Sequence, residues 1–414
     1  MNDQKPTFND VRDILLTDVA IRIQLSPSLY RLAVERMDTL AEWLDREGSE
    51  LAGLVILLYP QGSMAVNATI AACRERDEFD IDLIAQLRLP PGTTPQAALD
   101  LLYRAIKGDK GSRYYSMTKR NTRCVTIQYA EMHLDVTPAE LLPQRDPRTS
   151  YIFHHRPEEP HVPGKRVMAN PFGFAEWFNA VMPRDLPFRE FFEKRAREAD
   201  PLLMKAADTE EVPAQIPAFL KPPAVIALQL MKRNRNIKYE KRSGRRPPSV
   251  MLAKIIAESG SASGRPFAEL LYQARSLLAL LEAHHQRGTR IHVVNPRCEE
   301  DVFTDRWPAT LAEQEVFVDD MRSFVTQLER LERTADLETI AEVFGQLFGE
   351  QPTQSVIREF ADRAGESIAA GHFRSRRSSG QADLAGSSII AAATVTAPAV
   401  SRSAPRHTFY GTDQ

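Results

Sequence analysis

Cysteine is scarce in this chain. Its 414 residues include only Cys73, Cys124 and Cys298, far apart from one another. Isolated thiols make neither a disulfide framework nor a four-ligand zinc site, and they suit a reducing cytosol. Net charge is nearly absent as well. The formal total is −2, so the chain as a whole is not built to coat nucleic acid, which counts against a template-bound polymerase. No apolar run approaches the roughly 18 residues of a membrane-spanning helix, so no membrane association is expected. The opening Met1-Asn2-Asp3-Gln4 is polar and acidic, unlike a secretory leader, and a cytoplasmic protein is the expectation. What is present, 43% hydrophobic and 26% charged residues, is ordinary for a globular protein. The length allows two or three domains and a large core.

One stretch organises the rest. Val55 to Tyr59 is an apolar run that ends in Pro60-Gln61-Gly62-Ser63, and the small residues from Met64 to Ala72 read as helical. Then Glu78-Phe79-Asp80-Ile81-Asp82-Leu83-Ile84 alternates acidic and apolar residues. Period two is the mark of a β-strand, so Asp80 and Asp82 share one face. Neighbouring carboxylates repel unless a cation lies between them, and oxygen-only ligands suit Mg²⁺ or Mn²⁺. Gly62 lets the backbone come close to a ligand, Ser63 offers a hydroxyl, and a helix start presents free N–H groups to an anion. Taken singly these signals are weak, since a D-x-D pair arises roughly once by chance in a chain of ordinary charged content. Together they form a phosphate receptor followed by a carboxylate pair, which is what nucleotidyl transfer requires.

A third acid stands in a second alternating region. Thr122 to Tyr129 reads as a strand, and after a short turn comes Met132-His133-Leu134-Asp135-Val136-Thr137-Pro138. A carboxylate flanked by apolar residues is costly unless it is paired or on a metal. Two strands joined by a tight turn bring Asp135 beside Asp80 and Asp82. Three carboxylates can hold two Mg²⁺ about 3.5–4 Å apart.

The segments Pro60-Gln61-Gly62-Ser63-Met64-Ala65, Asp80-Ile81-Asp82 and Leu134-Asp135-Val136-Thr137-Pro138 resemble the signature of the bacterial CD-NTases. These nucleotidyltransferases are related to cyclic GMP-AMP synthase and oligoadenylate synthase and act in CBASS anti-phage defence. The resemblance continues through Asn170 to Phe178, through Leu228 to Arg235, and from Val294-Asn295-Pro296 to Trp307. Asn67 departs from it, since the family more often has glycine there. The resemblance implies an α/β fold: a bilobal polymerase-β-like nucleotidyltransferase core with a mixed sheet, beside a helical lobe like that of oligoadenylate synthase. It implies Asp80, Asp82 and Asp135 as catalytic metal ligands for Mg²⁺ (or Mn²⁺). Gly62 and Ser63 would hold donor phosphates, with Lys232 and Ser249 beside them. The product would be a cyclic di- or trinucleotide made from NTPs and read by a downstream effector, with no obligatory nucleic acid partner. The alternatives are a linear oligonucleotide or RNA nucleotidyltransferase, disfavoured by the near-neutral charge, and a protein-modifying nucleotidylyl transferase, disfavoured by the length.

The expected organisation is a catalytic domain over residues 1–165, a helical nucleotide-binding domain over 166–369, and a tail over 370–414. In the first, a helix begins at Pro27 and, by resemblance, braces the two lobes; Tyr114–Met117 reads as a strand. Lys119, Arg120 and Arg123 form a basic loop that either faces phosphates or is simply solvated. Residues 141–169 are rich in proline and read as an extended crossover; His154, His155 and His161 fit no zinc spacing. Helices are expected at 174–181, 186–198, 224–236, 250–258, 267–285, 313–334 and 337–347. Lys232, Arg233, Arg235, Lys238, Lys241, Arg242, Arg245 and Arg246 form a basic run in the lobe that would close over a triphosphate. The tail is rich in Ser, Ala, Arg, Thr and Pro and reads as disordered. It ends in His407-Thr408-Phe409-Tyr410-Gly411, which resembles CD-NTase tails that a ubiquitin-transfer-like partner joins to targets; Thr412, Asp413 and Gln414 would first have to be removed.

Overall fold

A computed structural model describes residues 10–71, 79–145, 148–182, 185–199, 221–261, 264–334 and 336–369, together with strand segments at 373–376, 382–384 and 401–403. Two hydrophobic cores lie side by side. The first sits under a mixed sheet. Its strands are β1 (Val55–Pro60), β2 (Phe79–Leu87), β3 (Thr118–Arg120), β4 (Val125–Gln128), β5 (Met132–Leu141), β6 (Ser150–His154) and β7 (Lys165–Ala169). The order is β1-β2-β5-β4-β3, with β6 and β7 added along the far end of β5. Only β2 and β5 run parallel; the other neighbours are antiparallel.

Alternation in β2 works as read. Ile81 and Leu83 are buried in the core, while Asp80 is exposed and Asp82 half-buried. Past Leu83 both faces are covered, because Ile84 joins Tyr59 and Ala139 in a small cluster on the opposite side. Helices α2 (Pro27–Leu44) and α4 (Pro95–Lys107) pack on the sheet core through Ala33, Leu40, Leu44, Leu99 and Leu102. Each starts at a hydroxyl cap followed by proline: Ser26 and Thr94 accept from the N–H of Leu29 and Ala97, which satisfies an otherwise unpaired donor.

The second core is helical. It is built by α5 (Pro171–Val181), α6 (Leu186–Ala199), α7 (Pro223–Tyr239), α8 (Ser249–Ser259), α9 (Pro266–Gln286), α10 (Leu311–Glu332), α11 (Leu337–Phe348) and α12 (Glu350–Ala369). The first helix of the chain, α1 (Val11–Ile23), buries Leu15, Leu16, Val19 and Ile23 in this core. The brace expected of Pro27–Leu44 is therefore divided: α1 belongs to the helical core and α2 to the sheet core, with Gln24–Ser26 as the joint.

Four local expectations are corrected. The helix read over Met64–Ala72 is only α3 (Gly62–Ala65). Asn67 takes φ of 55°, which ends it, and the chain then runs extended, with the Ala71 N–H donating to the Ile23 carbonyl at 2.7 Å. Tyr114–Met117 is a turn and the strand follows at β3; Tyr114 is buried and meets Trp43 edge-on at 5.4 Å between centroids. The proline-rich crossover at 141–169 contains the β6–β7 hairpin. In the tail, where no regular structure was expected, the three strand segments pair into a small sheet, satisfying main-chain groups without need of apolar content. Gly411 and Cys73 lie outside the described residues.

Candidate active site

Parallel pairing of β2 with β5 sets the geometry. In its register Asp82 stands directly opposite Asp135, and Asp80 opposite His133. Period-two alternation then places all four side chains on one face of the sheet. The Asp135 carboxylate accepts a hydrogen bond on Oδ1 from the Thr126 hydroxyl, which itself accepts from Asn121 Nδ2 at 2.6 Å. Sequence reasoning missed these two supporting residues, because nothing marks an isolated Thr or Asn until β4 is laid against β5.

Gly62 sits at the turn between β1 and α3. Its φ is 61°, and a Cβ there would come within 2.7 Å of Asp82 Oδ2. Glycine is thus required both by backbone conformation and by the closeness of the carboxylate. The turn is tied to the acid strand, since the Gln61 N–H donates to the Asp82 carbonyl at 2.8 Å.

Helix α7 closes the site from the helical lobe. It is buried over Pro223–Arg235, its polar residues included, and those residues grip the extended chain after α3. Gln229 donates to the Thr69 carbonyl at 2.8 Å, Lys232 Nζ to the Ala68 carbonyl at 2.5 Å and Arg233 to the Ala71 carbonyl at 3.3 Å. Lys232 also lines the cleft with Ser63, Asp82 and Ser249. Burial, and then the Arg235 guanidinium, lower its amine to about 7. Arg235 donates to the Ser249 hydroxyl at 3.1 Å and to the Pro247 carbonyl at 2.7 Å. The basic run divides. Lys232, Arg235, Arg245 and Arg246 line the cleft, whereas Arg233 holds the end of α11 through the Phe348 carbonyl and Arg242 pairs with Asp320. Of the basic loop before β4, Arg123 reaches the cleft wall, where it bonds Asp305 at 2.9 Å, and Arg120 pairs with Asp100.

The acids carry the electrostatic signature of a cation site. Burial, then the charges of Asp135 and Asp80, push the Asp82 carboxyl up to about 7. Among the described residues no three His, Cys, Asp or Glu groups are already converged into a cage. The donors are nonetheless all oxygen, mutually repelling and aligned by register, which fits Mg²⁺ or Mn²⁺. The main cleft has a volume of 760 Å³, within the usual range of roughly 300–1,000 Å³ for small-molecule sites.

A glycine-serine turn, an aspartate face on a mixed sheet and a helical lobe closing over it define a polymerase-β-type nucleotidyltransferase. Comparison with known proteins narrows the class. Residues 13–156 match the Second Messenger Oligonucleotide or Dinucleotide Synthetase domain. The chain is 34% identical to the cyclic dinucleotide synthase CdnG of Bradyrhizobium diazoefficiens, over 97% of this chain and 96% of that one. It is 20% identical to a c-di-GMP synthase of Roseivirga ehrenbergii, over 81% and 85% of the two chains. The solved structure of the Bradyrhizobium CD-NTase CdnG in complex with GTP superposes with a TM-score of 0.73 at 32% identity, covering 85% of this chain and all of that one. CdnC of Escherichia coli MS115-1 with ATP shares the fold, with a TM-score of 0.52 at 12% identity over 81% and 96%. This chain belongs to the CD-NTase family. Among its described residues no helix is long and apolar enough to cross a membrane.

Proposed function

We propose that this nucleotidyltransferase condenses nucleoside triphosphates into a cyclic di- or trinucleotide, with GTP among its substrates. The observation that carries the reading is the register of Asp82 against Asp135 beside the Gly62–Ser63 turn. The GTP complex of the Bradyrhizobium relative supports the choice of nucleotide.

In each step a sugar hydroxyl attacks the α-phosphorus in line. A new phosphodiester P–O bond forms, the bond to the β-phosphate breaks, and pyrophosphate leaves. Gly62 and Ser63 present backbone N–H groups to the donor's phosphates, with Lys232 and Ser249 on the other side of the cleft. Asp135, oriented through Oδ1 by Thr126, keeps Oδ2 for the attacking hydroxyl and its proton. A divalent cation held by Asp80, Asp82 and Asp135 would stabilise charge on the attacking and leaving oxygens. Closing the ring repeats the chemistry with the linear product as donor.

The proposal extends to biology, with family membership as its support: a cytoplasmic signal maker in CBASS anti-phage defence, whose product activates a downstream effector. A ubiquitin-transfer-like partner acting on the tail at Gly411, after trimming, belongs to the same proposal. Its test is co-expression with such a partner and a search for an adduct, which deletion of the residues after Tyr410 must remove.

Incubation with four labelled NTPs and Mg²⁺ or Mn²⁺, then phosphatase and mass spectrometry, tests the chemistry. A phosphatase-resistant species with the mass of two or three condensed nucleotides is the expected result. Only phosphatase-sensitive products would replace the cyclase with a linear polymerase. Lys232→Met probes the donor site separately. It keeps the aliphatic stem but removes the amine, so KM for NTP should rise ~10–100-fold, the scale of a lost charge-assisted hydrogen bond of about 1.5–3 kcal/mol. An unchanged KM would restrict Lys232 to holding Ala68.

A further inference from the structure

Asp301 lies on the cleft wall, on the short strand Cys298–Val302, which pairs with Val294–Asn295. Two donors hold it, and both reach the same oxygen. The Asn170 N–H donates to Oδ2 at 3.2 Å and Asn295 Nδ2 donates to Oδ2 at 2.9 Å. Asn295 Nδ2 also reaches the Asn170 carbonyl at 2.9 Å, which locks the junction. Among the described residues no hydrogen bond reaches Oδ1, so the fixed carboxylate retains an acceptor with two lone pairs. Phe174 and Phe303 supply apolar wall nearby, and Arg123 and Arg306 line the same cleft.

Nucleobases differ in what they offer such a wall. Guanine presents N1–H and N2–H₂, both donors, on its Watson–Crick edge, and O6 and N7 acceptors toward a guanidinium. Adenine presents an acceptor at N1 and a donor at N6, the wrong polarity for a carboxylate at N1 and for a guanidinium at N6. We propose that Asp301 is a specificity-determining residue that reads the N1–H and N2–H₂ edge of a guanine nucleotide in this cleft. The assignment rests on the synthase reading above and extends it to one named base contact.

Asp301→Asn separates recognition from scaffolding. The amide oxygen still accepts from Asn170 and Asn295, while the amide NH₂ replaces the free acceptor with a donor. Calorimetric titrations would use α,β-methylene analogues of GTP, ITP and ATP with Mg²⁺. The parent should bind the GTP analogue at least tenfold more tightly than the ITP analogue, which lacks the 2-amino group. In the variant, affinity for the GTP analogue should fall ten- to hundredfold, with the ATP analogue within threefold of its parent value. Equal losses for both analogues would show a structural role, and unchanged GTP affinity would show no contact; either result overturns the assignment. If the parent also makes its cyclic product, the synthase reading survives that failure. A parent that binds none of the three analogues overturns both.

Discussion

Asp82→Asn should abolish condensation and, without metal, leave a chain more heat-stable than the parent above neutral pH. The parent holds Asp82 half-buried opposite Asp135 and beside Asp80, with its carboxyl raised from 3.8 to about 7. A carboxyl raised on folding binds its proton more tightly in the folded state. Its contribution to stability is therefore present at acid pH and is lost as pH rises from about 4 through about 7. Three pH units correspond to an upper bound of about 4 kcal/mol. Solvent at the cleft mouth and relaxation cut this to ~1–2 kcal/mol, or about 1–2 °C in Tm for a chain of this size. Asparagine removes the charge at nearly constant volume. Thermal unfolding without metal at about pH 8 should show the gain, and at about pH 4 the gain should vanish. Added Mg²⁺ should stabilise the parent but not the variant. Turnover should fall by at least ~10³-fold, because losing a metal-bound carboxylate removes several kcal/mol of transition-state stabilisation and each ~1.4 kcal/mol is tenfold in rate. Asp80→Ala and Asp135→Ala should be equally inactive and still folded. Turnover within tenfold of the parent in any of the three would remove that acid from the chemistry.

The acids were legible because they sit in strands. Period two carries the face of Asp80, Asp82 and Asp135 in the sequence itself, and Gly62-Ser63 at a strand end carries the turn. The partner of β2 was harder to read. Nothing local to Met132–Leu141 says that β5 lies parallel to β2 while pairing antiparallel to β4, since register is a property of the assembled sheet. The basic run from Lys232 to Arg246 was legible as a group facing the cleft, but not in how its members divide. Successive residues of a helix point about 100° apart, so Lys232 and Arg233 reach different partners, and Arg242 is beyond the helix altogether. Helix α12 escaped notice because its apolar content is thin; Val356 is its one buried apolar side chain among those described, with Thr353 buried as well. Asp301 could not be found at all. Its orientation comes from Asn170, distant in sequence, and from an asparagine across a two-residue strand.

Gly62→Ala should cost both stability and turnover, and the two losses have separate causes. The φ of 61° is left-handed, where a Cβ costs roughly 1–2 kcal/mol. That part should lower Tm by about 1–2 °C whatever the solution conditions. The second loss is geometric. The new Cβ would stand 2.7 Å from Asp82 Oδ2, so either the turn or the carboxylate has to shift. Both belong to the site, since the Gln61 N–H is fastened to the Asp82 carbonyl. Misplacing a catalytic group by about 1 Å costs on the order of 10²-fold in rate, so kcat should fall at least that far. Asn67→Gly is the control. Asn67 already holds φ of 55°, a conformation glycine adopts freely, so that exchange should leave turnover within about twofold. Combining Gly62→Ala with Asp82→Asn gives the decisive comparison. If the methyl acts through the carboxylate, the second change should add nothing to the loss of rate already caused by Asp82→Asn, while the backbone part of the Tm loss persists. Full additivity in rate would instead place the function of Gly62 in the phosphate turn alone.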